Sequence, residues 1–284
     1  MTTNVIISFP NQTDNGTLSN GSWGGTLNNL KDIRYSLKAR STNANASSTK
    51  FDIDFGTVKP LQLFALIANN ISEQGTWRVT VGNDATFATY AYQSAYMSAL
   101  PALDSFVYEW EEDSFWSGVL SADRLATYPR HAFIVSPTAL SCRYIRVEIL
   151  DTGNTSGYVE IGRFFASKVW TPTYNPGYGF NIQHETATSV VESAGSVEYF
   201  DNRPLARVAK FSLDWLTPTE AYGVAFDMER QLGLSGEAFF VPFYDEPDKW
   251  LQTSFPCRLK SLSATELPVY GIWKKPYELR ERIG

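Results

Sequence analysis

The chain has 284 residues, of which 43% are hydrophobic, 14% aromatic and only 19% charged, and its net charge is −6. This length suits two domains of ordinary size, and the acidic balance, without a basic run interleaved with aromatics, argues against nucleic-acid binding. The longest apolar run, LQLFALIA at 61–68, is too short to span a bilayer.

Residues 1–29 are rich in Asn, Gly, Ser and Thr and lack the basic and apolar regions of a leader. They therefore predict no signal peptide. Two cysteines, Cys142 and Cys257, fall in different predicted domains, so we expect reduced, partly buried thiols. His131 and His184 stand alone in sequence, which predicts neither a metal site nor a cofactor.

Alternating strands fill the first half of the chain. FDIDFG (51–56), VKPLQLFALIANN (58–70) and TWRVTVGND (76–84) are followed by an aromatic insertion at 85–130. Three further strands are predicted at 131–136, 142–150 and 158–167, with turn residues between the last two. Short strands separated by polar turns predict a β-sandwich with long end loops, here residues 1–168.

A Pro- and Gly-rich stretch at 169–179 predicts a linker. The second segment, 180–284, gives strands within 196–216, 238–245, 250–263 and 268–279. Between them lies a helix at about 218–232, with Thr217 and Glu220 as a capping box and Pro218 at its first position. Strands, one helix and more strands predict an α+β unit or a sandwich with one packed helix.

Four patterns in the first segment resemble the galactose-binding-like, discoidin-type jelly roll of tailed-bacteriophage tail proteins. They are NLKDIRYSLKARST (29–42), FDIDFGTVKPLQLFALIANN (51–70), TWRVTVGND (76–84) and RYIRVEILDTGNTSGYVEIGR (143–163). The second segment is similar in element order to the β-sandwich-plus-helix unit of tail-tube and distal-tail proteins, which oligomerise into rings.

This resemblance implies a non-enzymatic virion structural protein of a long-tailed phage tail tip or baseplate, assembled in the host cytoplasm. The chain would form a ring, a trimer or a hexamer, and contact other tail proteins. Aromatic residues of the second segment are the candidate oligomer interface, since permanent interfaces use large aromatic patches. They are Trp250, Tyr270, Trp273 and Tyr277.

A carbohydrate-recognition module for a host surface glycan is the alternative. Jelly rolls of this type bind ligands with the loops at one end, and a sugar needs an aromatic ring to stack on and Arg or Asn to hydrogen-bond. The candidates are Trp23, Arg40, Asn43, Trp110 and Trp116. The structural interpretation is that Trp23 caps the sandwich and Arg40 pairs with a nearby acid.

A hydrolase is the third hypothesis. Glu109, Glu111, Glu112 and Asp113 lie among aromatics, and a glycosidase needs two carboxylates across a sugar-binding cleft. Adjacent acids in a loop do not define such a separation, and the same run is typical of a solvated acidic loop. We expect the chain not to be an enzyme.

Overall fold

A computed structural model describes residues 4–100, 109–111, 115–116, 125 and 127–283. The chain divides into two compact units. The first comprises Met1–Thr171 and Phe239–Ser254, and the second comprises Pro172–Ala238 and Phe255–Ile283. The sequence assigned 239–254 to the C-terminal domain; the structure places that segment in the first unit.

Eleven strands of the described chain lie before residue 172. They are β1 (Ile6–Ser8), β2 (Thr17–Ser19), β3 (Ala39–Arg40), β4 (Phe51–Ile67), β5 (Thr76–Gly82), β6 (Tyr92–Gln93), β7 (Met97–Ser98), β8 (His131–Leu150), β9 (Glu160–Ile161), β10 (Arg163–Ser167) and β11 (Val169–Trp170). Turns of 3-10 helix occupy Thr13–Asn15 and Leu27–Lys31.

Two long strands build the sandwich. The sequence predicted each of β4 and β8 as two strands, but each runs through both sheets without a break. The start of β4 (51–54) pairs with the last part of β8 (144–147) in what we call the back sheet, beside β2 and β5. The end of β4 (61–67) pairs with the first part of β8 (131–140) in what we call the front sheet, beside β10.

The core between the two sheets is apolar and closely packed. Alternating residues of the back sheet, including Ile53, Trp77 and Val147, meet Phe64 and Phe164 of the front sheet, and all five are fully buried. The alternation read from the sequence therefore reports correctly which side chains face the core.

A third layer covers the outer face of the front sheet. Strand β16 (Ala238–Val241) pairs with β1, and β1 pairs with β11. Leu63, Ala65 and Ile67 point into this layer and pack with Phe239 and other apolar residues. Residues 63–67 of β4 are continuously apolar because this part of the strand is buried on both faces. A 3-10 turn (Pro247–Lys249) and a one-turn helix (Trp250–Thr253) complete the unit.

The second unit is an antiparallel sheet with a helix. In spatial order its strands are β12 (Asn181–Glu185), β15 (Ala206–Leu216), β19 (Ile272–Glu281) and β17 (Phe255–Leu259). Strand β18 (Glu266–Val269) forms a hairpin with β19, and β13 (Ser189–Glu192) forms one with β14 (Glu198–Asp201).

Helix α1 (218–232) consists of an α-turn (Pro218–Glu220), a π-helical segment (Ala221–Phe226) and a final α-helix (Asp227–Leu232). The Thr217–Glu220 capping box is formed, which confirms the predicted start, and Gly233 follows its end with a positive φ of 52°. Ala221, Ala225, Met228 and Leu232 are its buried residues.

The mainly β fold class predicted from the sequence is confirmed: a β-sandwich in the first unit, and a sheet with one long helix in the second. No helix in the described ranges combines the length and apolar character needed to cross a membrane.

Candidate functional site

Three chain segments meet at one end of the sandwich. They are the β4–β5 connection (68–75), Arg130 just before β8, and the loop 151–159 that follows β8. The strand register brings them together, because Ile67 lies opposite His131 and Leu150 lies opposite Thr76. Between them is an open cleft of about 850 Å³, which we call the end cleft.

Hydrogen bonds between the loops hold the floor of the end cleft. Asp151 is buried, and its carboxylate accepts from the backbone N–H of Ser72 (2.8 Å), from the Ser72 hydroxyl and from Asn154 Nδ2 (2.7 Å). Asn154 Nδ2 also donates to the carbonyl of Asn70 (3.0 Å). Asn70 in turn accepts from the N–H of Glu160 (2.7 Å). The floor is therefore a rigid, internally satisfied network.

Gly75 allows this close approach of the loops. A Cβ atom at that position would lie 2.3 Å from Ile71 Cγ2 and 2.9 Å from the carboxylate carbon of Asp151. Any side chain would push the 68–75 loop away from Asp151 and change the shape of the cleft.

Groups above this floor are available to a ligand. Glu73, Gln74 and Thr155 line the cleft and are exposed. Arg130 is half-buried, and its Nη1 donates to the carbonyl of Ile71 (3.3 Å), which leaves further guanidinium donors. A carboxylate, an amide, a hydroxyl and a guanidinium can together accept from and donate to a ligand that is rich in hydroxyl groups.

The sequence-predicted residues Trp23, Arg40 and Asn43 lie near the same end but are occupied in holding the fold. Trp23 is 4% exposed, its Nε1 donates to the carbonyl of Lys50 (2.9 Å), and its ring packs edge-on against Phe51. Asn43 accepts from the backbone N–H of Asn45 (3.0 Å).

Arg40 pairs with an acid. Its Nε donates to Glu160 Oε1 (2.7 Å), and its guanidinium lies 4.3 Å from the centre of the Tyr158 ring. Burial alone would raise the pKa of Glu160, but hydrogen bonds from Arg40 and Lys38 outweigh it and lower the pKa. The Arg40 side chain thus ties β3 to β9.

Trp110 and Trp116 are 67% and 76% exposed. Trp116 Nε1 donates to the carbonyl of Trp110 (2.8 Å), and the Trp116 ring meets Phe115 edge-on. These two rings present apolar surface to solvent in the insertion that precedes Arg130. Of the acidic run, Glu109 and Glu111 are exposed, whereas Glu112 and Asp113 lie outside the described residues.

The four predicted interface residues separate into two pairs. Trp250 belongs to the first unit, where it packs on Phe133 with ring centres 4.6 Å apart and donates to the carbonyl of Phe243 (3.0 Å). Tyr277 is 3% exposed, and burial raises its pKa well above the ordinary value. Tyr270, 97% exposed, and the half-buried Trp273 lie at the surface of the second unit.

Within the described residues, no three His, Cys, Asp or Glu side chains come together as metal ligands. Cys142 and Cys257 are free thiols, each buried in a different unit, and burial raises the pKa of both. Buried thiols with raised pKa values are poor nucleophiles.

Of the end-cleft residues, the sequence predicted Asp151, Gly153 and Asn154 as turn formers and placed Asn69 and Asn70 at the end of a strand. Their signal was two polar segments, NNISEQGT and DTGNTSG, each directly after a long strand. Nothing local indicated that the two segments meet, because Ser72 and Asp151 are 79 positions apart.

No protein-family model matches the chain, and no curated protein matches it. Among solved structures, the lectin domain of lectinolysin in complex with Lewis B antigen is 15% identical, over 56% of this chain and 96% of that one, with a TM-score of 0.35. A Streptococcus pneumoniae fucose-binding module is 13% identical, over 56% and 94%, with a TM-score of 0.35.

A family 32 carbohydrate-binding module from Clostridium perfringens, in complex with galactose, is 11% identical over 57% of this chain and 98% of that one, with a TM-score of 0.36. The assignment of the first unit as a β-sandwich rests on its own strand order and register.

Proposed function

We propose that the chain is a non-enzymatic adhesion protein whose first unit binds a glycan in the end cleft. The observation that carries this proposal is the lining of the cleft. Its exposed groups are a carboxylate, an amide, hydroxyls and part of a guanidinium, with a rigid floor beneath them. Such a set suits the many hydroxyl groups of a sugar and offers little to an apolar ligand.

A glycan array tests this proposal. The full chain should bind a defined set of glycans, and Gln74→Ala combined with Thr155→Ala should weaken binding by about tenfold or more, since each 1.4 kcal/mol of lost hydrogen bonding is tenfold. Thr57→Ala is the matched control, because Thr57 is exposed and does not line the cleft. Unchanged binding by the cleft variant would contradict the proposal.

The exposed tryptophans are tested on the same array. If Trp110 and Trp116 supply a stacking platform, Trp116→Ala should weaken binding of the same glycans. If binding depends on the end cleft alone, Trp116→Ala will behave as Thr57→Ala does. The two results show whether the tryptophans predicted from the sequence contribute to glycan binding or whether the end-cleft residues alone do so.

A second function, structural assembly in a phage tail tip, is favoured by the surface of the second unit. Large apolar side chains are exposed there on the helix, on both hairpins and at strand ends, including Tyr199, Phe200, Trp215, Tyr222 and Tyr270. Exposed apolar side chains that lie next to one another, as the rings of Tyr222 and Phe226 do, are typical of surfaces that contact other proteins. We propose that this unit joins copies of the chain into a ring beside other tail proteins.

Mass measurement of the purified chain, alone and mixed with neighbouring tail proteins, tests assembly. A mass that is a multiple of the 31.8 kDa chain, or a stable co-complex, supports it. A strict monomer under both conditions would remove it. The proposal also predicts no release of reducing sugar from envelope glycans, and release that is lost on Glu111→Gln would make the chain a hydrolase.

A further inference from the structure

The β13–β14 hairpin is exposed along its whole length. Val190, Val191, Tyr199 and Phe200 are each between 52% and 64% exposed, and in the described chain the two strands pair only with each other. An isolated two-stranded hairpin is marginally stable in water, and this one carries apolar side chains on both faces. The hairpin would therefore be stabilised by a partner surface that buries its apolar side chains.

One face of this hairpin combines apolar and acidic side chains. Val190 lies opposite Phe200, and Glu192 lies opposite Glu198, so all four share a face. The acidic pair is displaced about 7 Å from the apolar pair, which is the length of two strand residues. Two carboxylates placed directly opposite repel each other, and neither forms an ion pair with a described residue. A cation at that point would relieve the repulsion.

Helix α1 presents a matching surface. Tyr222, Phe226 and Arg230 follow at intervals of four residues and are all exposed, and Phe226 and Arg230 are about 6 Å apart along the axis. The ring centres of Tyr222 and Phe226 are 6.3 Å apart. Arg230 is exposed and makes no ion pair with the described part of the chain. This helix stripe thus places a cation beyond two aromatic rings, at nearly the spacing that separates the apolar and acidic pairs of the hairpin.

We infer that the hairpin of one copy docks on the helix stripe of a second copy. Val190 and Phe200 contact Phe226, and Glu192 and Glu198 receive Arg230 between them. Because the hairpin and the stripe are different surfaces, the contact is heterologous. Each copy docks its hairpin on one neighbour and binds the hairpin of another neighbour on its helix stripe. The inference rests on the proposed assembly role and adds the partner, the two surfaces and the charge pairing.

A charge exchange tests the pairing, with sedimentation of the full chain over a range of concentrations as the readout. The dissociation midpoint is the chain concentration at which half of the assembly has dissociated. Glu192→Arg combined with Glu198→Arg should raise this midpoint by about tenfold or more, because the contact then places like charges together. Arg230→Glu should raise it by a similar factor for the same reason. All three changes combined should return the midpoint to near that of the unchanged chain. Arg34→Glu, an exposed arginine of the first unit, should have no effect.

Crosslinking gives a second readout, which reports that two residues lie close together rather than how the midpoint changes. With an added thiol oxidant to accept the two electrons, Glu198→Cys copies mixed with Arg230→Cys copies should form an interchain disulfide, whereas Glu198→Cys mixed with Arg34→Cys should not. The two native cysteines are buried and leave the background low.

The outcomes separate the two proposals. A chain that is monomeric throughout overturns assembly and this contact together. A chain that assembles, yet is indifferent to the charge changes and forms no crosslink, overturns the contact and leaves assembly standing. Weakening by the separate changes without recovery on combination overturns the Glu192, Glu198 and Arg230 pairing.

Discussion

The two units differ in where they put their apolar side chains. The first unit buries them between two sheets and again beneath a third layer, and its back sheet faces outward with ion pairs such as Asp52 with Arg146 and Asp54 with Arg143. The second unit carries most of the exposed large apolar side chains in the described chain. A β domain that buries its apolar side chains and one that leaves apolar surface uncovered are suited to different tasks, and the proposed roles are ligand binding for the first unit and assembly for the second.

The largest expected effect tests whether the second unit has a stable interior of its own. Arg207 and Glu281 form a hydrogen-bonded ion pair there, with side chains 2% and 1% exposed. Glu281→Ala should lower the free energy of unfolding of that unit by about 3–5 kcal/mol, because it removes a buried carboxylate that is paired and hydrogen-bonded with the buried Arg207 guanidinium. Denaturant unfolding followed by circular dichroism measures the change.

Asp201→Asn is the matched control for that experiment. The Asp201–Arg203 pair is 59% exposed on each side, so its loss should change the free energy of unfolding by less than about 1 kcal/mol. If the two variants behave alike, the Arg207–Glu281 pair does not stabilise a packed interior in the second unit.

Trp250→Ala separates folding from assembly. Because Trp250 packs on Phe133 and Tyr244 inside the first unit, the variant should destabilise that unit by about 3 kcal/mol and leave the oligomeric state unchanged. Thermal unfolding and sedimentation measure the two quantities. A stable variant with weakened assembly would return Trp250 to the interface that the sequence suggested.

Gly75→Ala sharpens the view of the end cleft. The added methyl group would overlap Ile71 and the Asp151 carboxylate, so we expect a loss of about 1–3 kcal/mol and reduced glycan binding. Gly153→Ala, in the opposite loop, is the control for stability alone, since it also lines the cleft but nothing lies within 4 Å of the position that its Cβ atom would occupy and its φ is not positive. Equal behaviour of the two variants would contradict the close approach of the loops.

The smallest effect is a pH dependence in the first unit. The pKa of Glu160 is lower folded than unfolded, so its stabilising contribution is present above its ordinary pKa of 4.5 and is lost as the pH falls through the folded value. Glu160→Gln should therefore flatten the fall in stability below pH 4.5. The slope should be modest, because solvent screens the half-exposed Arg40 and Lys38. Identical acid profiles for the two proteins would remove this contribution.

Local pattern predicted much of the fold. Alternation at Phe51 and Ile53 and at Ile145, Val147 and Ile149 placed strands whose apolar residues are buried, and Thr217 with Glu220 placed the start of α1. These signals succeed because strand periodicity and helix capping depend on neighbouring residues.

Long-range features could not be read in the same way. The sequence divided β4 at Gly56, whose φ is +70°, but the strand continues there as it passes from one sheet to the other. The run 238–245 is apolar whichever unit it packs with, and so carries no sign that it returns to the first unit. Trp23 and Arg40 were chosen for their chemistry, yet their partners Lys50 and Glu160 are found only in the fold.

Hydroxyl-radical footprinting of the full chain under assembly conditions most directly tests whether the second unit, and not the first, forms the assembly surface. If the second unit forms the assembly surface, Tyr199, Phe200, Tyr222 and Phe226 are modified far less than their exposure in a single chain implies. Tyr90 and Trp116 of the first unit should react in proportion to their 53% and 76% exposure. Modification in proportion to exposure in both units would contradict an assembly surface on the second unit.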